Sequence, residues 1–208
     1  MYQKFFKRFI DIVLSGIGIL ILSPVLLVLA IAVKLESPGP ALFCQTRIGI
    51  HKTQFSILKF RTMHIDTPKD TPTHLLENPK HWITRLGGFL RKTSLDELPQ
   101  LFNIFVGHMS FIGPRPALWN QFDLIAERDK YGANDVLPGL TGWAQINGRD
   151  ELPIEEKAQL DGEYVQRMSL AFDIKCFLGT ITYVLRRNGV VEGGSGELAR
   201  KNEEADTQ

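Results

Sequence analysis

The sequence predicts a mostly helical α+β protein with an apolar membrane helix at its amino end, a small β-hairpin and a helical body carrying amphipathic surface helices. Three observations carry that reading. Residues 12–33 hold no charge, and about 20 apolar residues suffice to cross a bilayer core. Two segments rich in strand formers, 41–47 and 54–60, flank a turn at 48–52 containing Gly49. Beyond them, apolar residues recur at helical spacing in a series of segments.

The charge pattern narrows the function classes. The 208 residues carry a net charge of only +1, so no global field draws the chain to nucleic acid. The amino-terminal third is basic all the same, with Lys4, Lys7, Arg8, Lys34, Arg47, Lys52, Lys59 and Arg61 against Asp11 and Glu36. Such a face suits anionic lipid or a phosphate-bearing substrate. Cys44 and Cys176 are far apart and read as free, buried thiols of a reducing compartment. The histidines are scattered, which argues against a zinc site.

The apolar segment admits three readings. As a signal peptide it would use Lys4, Lys7 and Arg8 as its basic region and Ala30-Ile31-Ala32 as a cleavage site, but its apolar run is too long. As a simple spanning anchor it has the right length. As a re-entrant helix it would turn back at Ser23-Pro24, because proline removes one helical hydrogen bond and clashes with the preceding turn. Basic residues flank both ends, so charge alone selects no direction of crossing. The organisation expected is a membrane segment over 1–36, a body over 37–190 and a disordered Gly- and Glu-rich tail over 191–208.

Ser37-Pro38-Gly39-Pro40 separates the membrane segment from the hairpin. The Pro-, Thr- and Asp-rich stretch 66–79 reads as a loop over the active face. Helices are expected at 83–91, 95–105, 121–131, 154–168 and 172–187, the last apolar enough for a membrane surface or a core.

Chemistry is concentrated in Ser94-Leu95-Asp96-Glu97-Leu98-Pro99-Gln100-Leu101-Phe102. Ser94 and Glu97 have the spacing of a capping box, which predicts a helix start with Asp96 in its first turn. Exposed N–H groups there would keep Asp96 ionised and suit it to act as nucleophile or metal ligand. Acidic residues at helix starts are also commonly structural.

Three further segments look suited to phosphate. Lys59-Phe60-Arg61-Thr62-Met63 ends the second strand. Gly113-Pro114-Arg115-Pro116 holds one guanidinium between two rigid prolines. Pro138-Gly139-Leu140-Thr141-Gly142-Trp143 leads through Gly148 to Arg149, with glycines that let the backbone approach a ligand. Together, three constrained basic segments around two adjacent carboxylates point to an anionic substrate with Mg²⁺, held by one or two carboxylates and phosphate oxygens.

These motifs, in this order, resemble the bacterial sugar transferases, the monotopic polyprenyl-phosphate phosphoglycosyl transferases. The resemblance covers about residues 4–189 and is to the minimal single-domain form. It implies transfer of a phospho-sugar from a UDP-sugar to undecaprenyl phosphate, releasing UMP, as the first membrane step of surface polysaccharide or glycan synthesis. It implies that Asp96 and Glu97 form the catalytic dyad, with Asp96 the nucleophile of a covalent phosphoglycosyl-aspartate intermediate and Glu97 a metal ligand or orienting group. Mg²⁺ would be the cofactor, bound at Asp96 and Glu97. Lys59, Arg61, Arg91, Arg115 and Arg149 would bind phosphate, and Asp161 would help bind metal or nucleotide. In this family the Ser23-Pro24 break makes the membrane helix re-entrant. That would put the enzyme on the cytoplasmic face of the bacterial inner membrane, with the lipid bilayer as a partner, no nucleic acid, and a homodimer left open.

Two rivals remain. A membrane-anchored glycosidase would use Asp96 and Glu97 as acid and base, but such carboxylates flank a sugar, whereas helix neighbours diverge by about 100°. A non-enzymatic membrane interaction module would keep Asp96 and Glu97 as structural groups.

Overall fold

The structure, a computed structural model, describes residues 2–68, 79–148 and 152–185. Most of the predicted loop at 66–79, Arg149 and the tail over 191–208 lie outside the described residues.

A π-turn, Tyr2–Phe6, leads into the long helix α1, Lys7–Glu36. Helical structure continues through Pro24. Proline has no N–H for the carbonyl one turn back, that of Leu20, and the Ser23 hydroxyl donates to that oxygen at 2.8 Å instead. One stripe of α1 packs on the body along its whole length. Ser15 and Val33 are buried, Ile19 and Leu22 meet Leu101 and Ile104, and Leu26, Leu29 and Ala30 meet Phe60 and Leu90. The opposite stripe, including Phe9, Leu20, Ile21, Leu27, Val28 and Leu35, is open. A helix this apolar has only 6% of its most apolar window buried, so it is no soluble core helix; it is long and apolar enough to cross a membrane.

Both ends of α1 are fastened to the same body. At the amino end Lys7 Nζ meets Asp173 Oδ2 at 2.5 Å, and Tyr2 and Tyr164 hydroxyls donate to the same carboxylate. Asp11 accepts from Ser110 Oγ and the Phe111 N–H. At the carboxyl end Arg61 donates to the carbonyls of Ser37 and Pro38, and Glu36 accepts from the Leu86 N–H. Of these, Lys7, Asp11, Arg61 and Asp173 are buried, and each finds a partner.

The hairpin is β1, Leu42–Ile48, paired antiparallel with β2, Gln54–Phe60, in the register Leu42↔Phe60 to Ile48↔Gln54. Its tip places His51 and Lys52 in the left-handed region, the pair a tight hairpin turn requires and which non-glycine residues adopt at a cost. Asn103 closes the outer edge of β2, accepting from the Leu58 N–H and donating to the Ser56 carbonyl, as a neighbouring strand would. Cys176 is buried as expected, but Cys44 is exposed, because β1 turns alternate side chains outward at its free edge.

A short helix α2, Pro79–Trp82, precedes α3, Arg85–Thr93, which Thr84 caps through the Gly87 N–H. The predicted helix at 83–91 is thus displaced by the break that this cap imposes. Gly87 lies on the backbone of Thr62: a Cβ there would come within 2.1 Å of the Thr62 carbonyl oxygen.

The predicted capping box does not form. Ser94 is left-handed (φ 57°) and ends α3, its N–H meeting the Arg91 and Leu90 carbonyls. A 3₁₀ turn, Leu95–Glu97, follows, and α4, Gln100–Val106, starts only after Pro99. Asp96 therefore does not lie in the first turn of an α-helix.

Two of the segments expected to suit phosphate adjoin or contain short strands. β3, Ser110–Ile112, pairs in parallel with β4, Gly139–Thr141. Between them lies α5, Phe122–Asp129, and after β4 come α6, Trp143–Ile146, α7, Ile154–Arg167, and α8, Leu170–Leu185. Tyr164, Phe172 and Cys176 bury against Ile112, so α7 and α8 clamp β3. The hydrophobic clusters around Ile104, Leu90 and Tyr164 form the core beneath α1 and α8.

Candidate active site

Three elements converge on the 3₁₀ turn. β2 brings Lys59, whose Nζ lies 2.8 Å from Glu97 Oε1. The segment after β3 brings Arg115, whose Nη2 lies 3.1 Å from the same oxygen. α3 brings Arg91, whose Nε donates to Thr62 Oγ1 at 2.9 Å. Gly87 matters to that last placement, because the absence of a side chain lets α3 sit directly on Thr62 one turn before Arg91.

Arg115 is fixed by its neighbours on both sides. The Gly113 N–H meets the Thr141 carbonyl and the Gly139 N–H meets the Pro114 carbonyl, both at 2.8 Å. The Pro116 carbonyl accepts from Arg47 Nη1. The glycines of these segments thus serve backbone-to-backbone contact: a Cβ on Gly139 or Gly142 would come within 2.1 Å or 2.0 Å of Gly113. They were expected to admit a ligand, and instead they let one segment lie on the other.

The two carboxylates differ. Glu97 is held by two cations. Asp96 is 9% exposed and accepts no hydrogen bond from any described residue. Burial pushes its carboxyl above the usual range; Lys59 opposes this, Glu97 adds to it, and Arg91 and Arg115 oppose it again. Burial likewise pulls the Lys59 ammonium below the usual lysine range, against the pull of Glu97. The helix-start argument for a permanently charged Asp96 is therefore replaced by one in which cations hold a buried carboxylate ready to ionise.

Not every predicted residue belongs to this cluster. Arg61 is buried, and its guanidinium binds the carbonyls of Ser37 and Pro38 and the Ser37 hydroxyl, closing the end of α1. Asp161 is buried 33 positions from Arg128 in sequence and accepts from its Nε and Nη2, at 2.8 and 2.6 Å. It joins α7 to α5, and the groups acting on Asp96 do not include it. Ser23 and Pro24 lie mid-way along α1. Arg149 is outside the described residues. One residue beside the cluster was read only as part of the basic amino-terminal third: Arg47, the last but one residue of β1, whose charge acts on Lys59.

The donor set fits Mg²⁺ shared with a substrate. Asp96 and Glu97 are adjacent, and among the described residues no group of three or more His, Cys, Asp or Glu could hold a metal unaided. Magnesium is commonly held by one or two carboxylates plus phosphate oxygens, which is what this pair can offer.

Comparison with known proteins decides the family. The bacterial sugar transferase family matches residues 2–187. The chain belongs to that family.

Among its relatives, the UDP-glucose:undecaprenyl-phosphate glucose-1-phosphate transferase of Escherichia coli (strain K12) is 40% identical over 192 residues, covering 86% of this chain and 40% of that one. The enzyme of the same description from Caulobacter vibrioides is 41% identical over 188 residues, covering 86% of this chain and 69% of that one. A sugar transferase of Bacillus subtilis (strain 168), EpsL, described as uncharacterized, is 38% identical over 185 residues, covering 88% of this chain and 89% of that one. The chain thus spans about two fifths of the E. coli relative's length and most of EpsL's. The segments that carry the resemblance read from sequence fall on the end of β2, the 3₁₀ turn and the β3–β4 pair, and Lys59, Glu97 and Arg115 from three of these segments meet.

Proposed function

We propose that this sugar transferase moves a phospho-sugar from a UDP-sugar to undecaprenyl phosphate, by way of a covalent phosphoglycosyl group on Asp96. The observation that carries the reading is the unequal pair: a buried Asp96 that accepts no hydrogen bond from a described residue, beside a Glu97 held by Lys59 and Arg115. An unbonded carboxylate retains its lone pairs for attack, whereas a doubly paired one is a fixed charge.

A carboxylate approaching a diphosphate is repelled by it. Lys59, Arg91 and Arg115 surround Asp96 and lower that repulsion, acting as preorganised cations where burial weakens screening by water. Asp96 attacks the phosphorus that bears the sugar, the bond to UMP breaks, and its electron pair leaves with UMP. The lipid phosphate then attacks the same phosphorus and frees Asp96. Glu97, locked by two cations, orients the metal-binding side of the site and would hold Mg²⁺ together with Asp96. Bound there, Mg²⁺ would supply charge neutralisation of the diphosphate.

The attachment of both ends of α1 to one body supports a re-entrant helix at the cytoplasmic face of the inner membrane. A helix crossing straight through would carry Lys7 and Ser37 to opposite faces, yet Asp173 and Arg61 hold them on the same body. Lipid-borne phosphate would then reach the dyad at the membrane surface.

The relatives in E. coli and C. vibrioides make UDP-glucose the first donor to test. Wild type should release UMP from a UDP-sugar in the presence of undecaprenyl phosphate, and Asp96→Asn should release none. Given donor radiolabelled in the sugar and no lipid, wild type should retain label on the protein. Turnover without any protein-bound label would replace the covalent route with direct transfer.

A further inference from the structure

Thr62 stands two residues past β2, in a segment expected from sequence to hold phosphate, and its side chain meets an arginine of the site instead. It is 6% exposed, and its hydroxyl oxygen accepts from Arg91 Nε at 2.9 Å. The neighbouring Arg61 turns the other way, to the carbonyls of Ser37 and Pro38. Beyond Lys59, this segment therefore acts on the site through the arginine that Thr62 holds.

The backbone sets that contact. Met63 and Ile83 form an antiparallel bridge, the His64 N–H donates to the Trp82 carbonyl at 2.9 Å, and the Thr84 N–H donates to the Thr62 carbonyl at 3.1 Å. These bonds fix the register of residues 62–64 against 82–84, immediately before α3. Thr84 then caps α3, and Gly87 in the first turn lies on the Thr62 backbone. Arg91 follows Gly87 by four residues on the same α-helix, so it leaves the same face. It also stands three residues before the left-handed Ser94, which turns the chain into Leu95–Glu97. One face of α3 thus rests on Thr62, and the end of α3 delivers the turn that carries Asp96.

A guanidinium is planar, so a hydrogen bond at Nε fixes its plane and the direction of both terminal nitrogens. The charge of Arg91 acts on Asp96. Resting on the phosphoryl-transfer reading above, we propose that Thr62 is a positioning residue for that transfer, its hydroxyl orienting the Arg91 guanidinium toward the diphosphate that Asp96 attacks. In this role Thr62 touches no reacting atom and exchanges no proton with substrate. Loss of the hydroxyl leaves the positive charge in place and releases its direction. Ground-state attraction by a charge survives such a loss, whereas stabilisation of the transition state depends on alignment.

The test sets Thr62→Val, which loses the hydroxyl at nearly equal shape, against Thr62→Ser, which keeps the hydroxyl and loses the methyl. UMP release by Thr62→Val should slow by about 10–100-fold in kcat per folded molecule, with the KM for UDP-sugar changed less than about threefold. Thr62→Ser should stay within about threefold of the wild-type kcat, even though the lost methyl lowers its melting temperature. Packing alone predicts the reverse order. In an Arg91→Lys background, which has no Nε–H to hold, Thr62→Val should cost less than about threefold, because the hydroxyl acts through that one group. A Thr62→Val enzyme with wild-type kcat overturns the proposal. So does a Thr62→Ser enzyme slowed as much as Thr62→Val, a loss confined to KM, or an undiminished effect of Thr62→Val in the Arg91→Lys background. If wild type itself releases no UMP from any UDP-sugar, the phosphoryl-transfer reading falls and takes this proposal with it; if wild type turns over and Thr62→Val matches it, only the role of Thr62 falls.

Discussion

Asp96 is costly to ionise where it stands, and that has two measurable results. As nucleophile it must lose its proton, so the acid limb of the kcat profile should lie above the ordinary aspartate value of about 3.9. Lys59 must keep its proton to hold Glu97, and its lowered pKa should bring the alkaline limb below the ordinary lysine value of about 10.4. Lys59→Arg should remove that alkaline limb, and a profile as wide as that of unperturbed groups would contradict the assignment. The second result concerns stability. A carboxyl whose pKa is raised on folding contributes stability at low pH and loses it as pH rises through the folded value. Asp96→Asn cannot ionise, so it should abolish turnover yet melt higher than wild type at neutral pH, by roughly 2–4 °C for about 1 kcal/mol. Loss of activity with a lower melting temperature would point to damage rather than chemistry. At this scale the sequence singled out Asp96, Glu97, Lys59 and Arg115 by local motifs, and the fold brings these four together. It misplaced Arg61, since nothing local reveals that a guanidinium will reach back to carbonyls at 37 and 38.

At the scale of elements, the hairpin and the helices α5, α7 and α8 were legible because each is long enough to show a period. β3 and β4 are three residues each, too short for alternation to register, and their pairing depends on Gly113, Gly139 and Gly142 meeting across 26 positions and more. The spacing Ser94-x-x-Glu97 misled because a capping serine must be extended, and here the chain needs Ser94 left-handed to end α3. Asp161 joins α7 to α5 through a pair with Arg128 whose side chains are 2% and 5% exposed. Asp161→Ala should destabilise the fold by about 3–5 kcal/mol, leaving a buried arginine unpaired. The fraction that stays folded should keep the wild-type KM for UDP-sugar and dependence on Mg²⁺; a selective rise in either would return Asp161 to the site.

For the whole molecule, the decisive geometry is that α1 runs along the body and ends where the body can hold it. Cysteines placed at positions 4 and 34, in a Cys44→Ser background because Cys44 is exposed, should react with impermeant thiol reagents only once the cytoplasm is opened. Labelling of either one from the periplasm would overturn the re-entrant arrangement. Length and flanking charge left this arrangement level with a spanning anchor, and the family resemblance alone favoured it. The proposal of the re-entrant form rests on contacts between distant segments, which a periodicity cannot express.

The Lys7–Asp173 pair joins residues 166 positions apart. α1 is therefore secured by a helix made much later in the chain, α8. During synthesis Asp11 is without Ser110 and Phe111 until β3 is made, and Lys7 is without Asp173 until α8 is made. Fastening of the amino end of α1 is then a late event, and a chain truncated before α8 should leave Lys7 without its carboxylate.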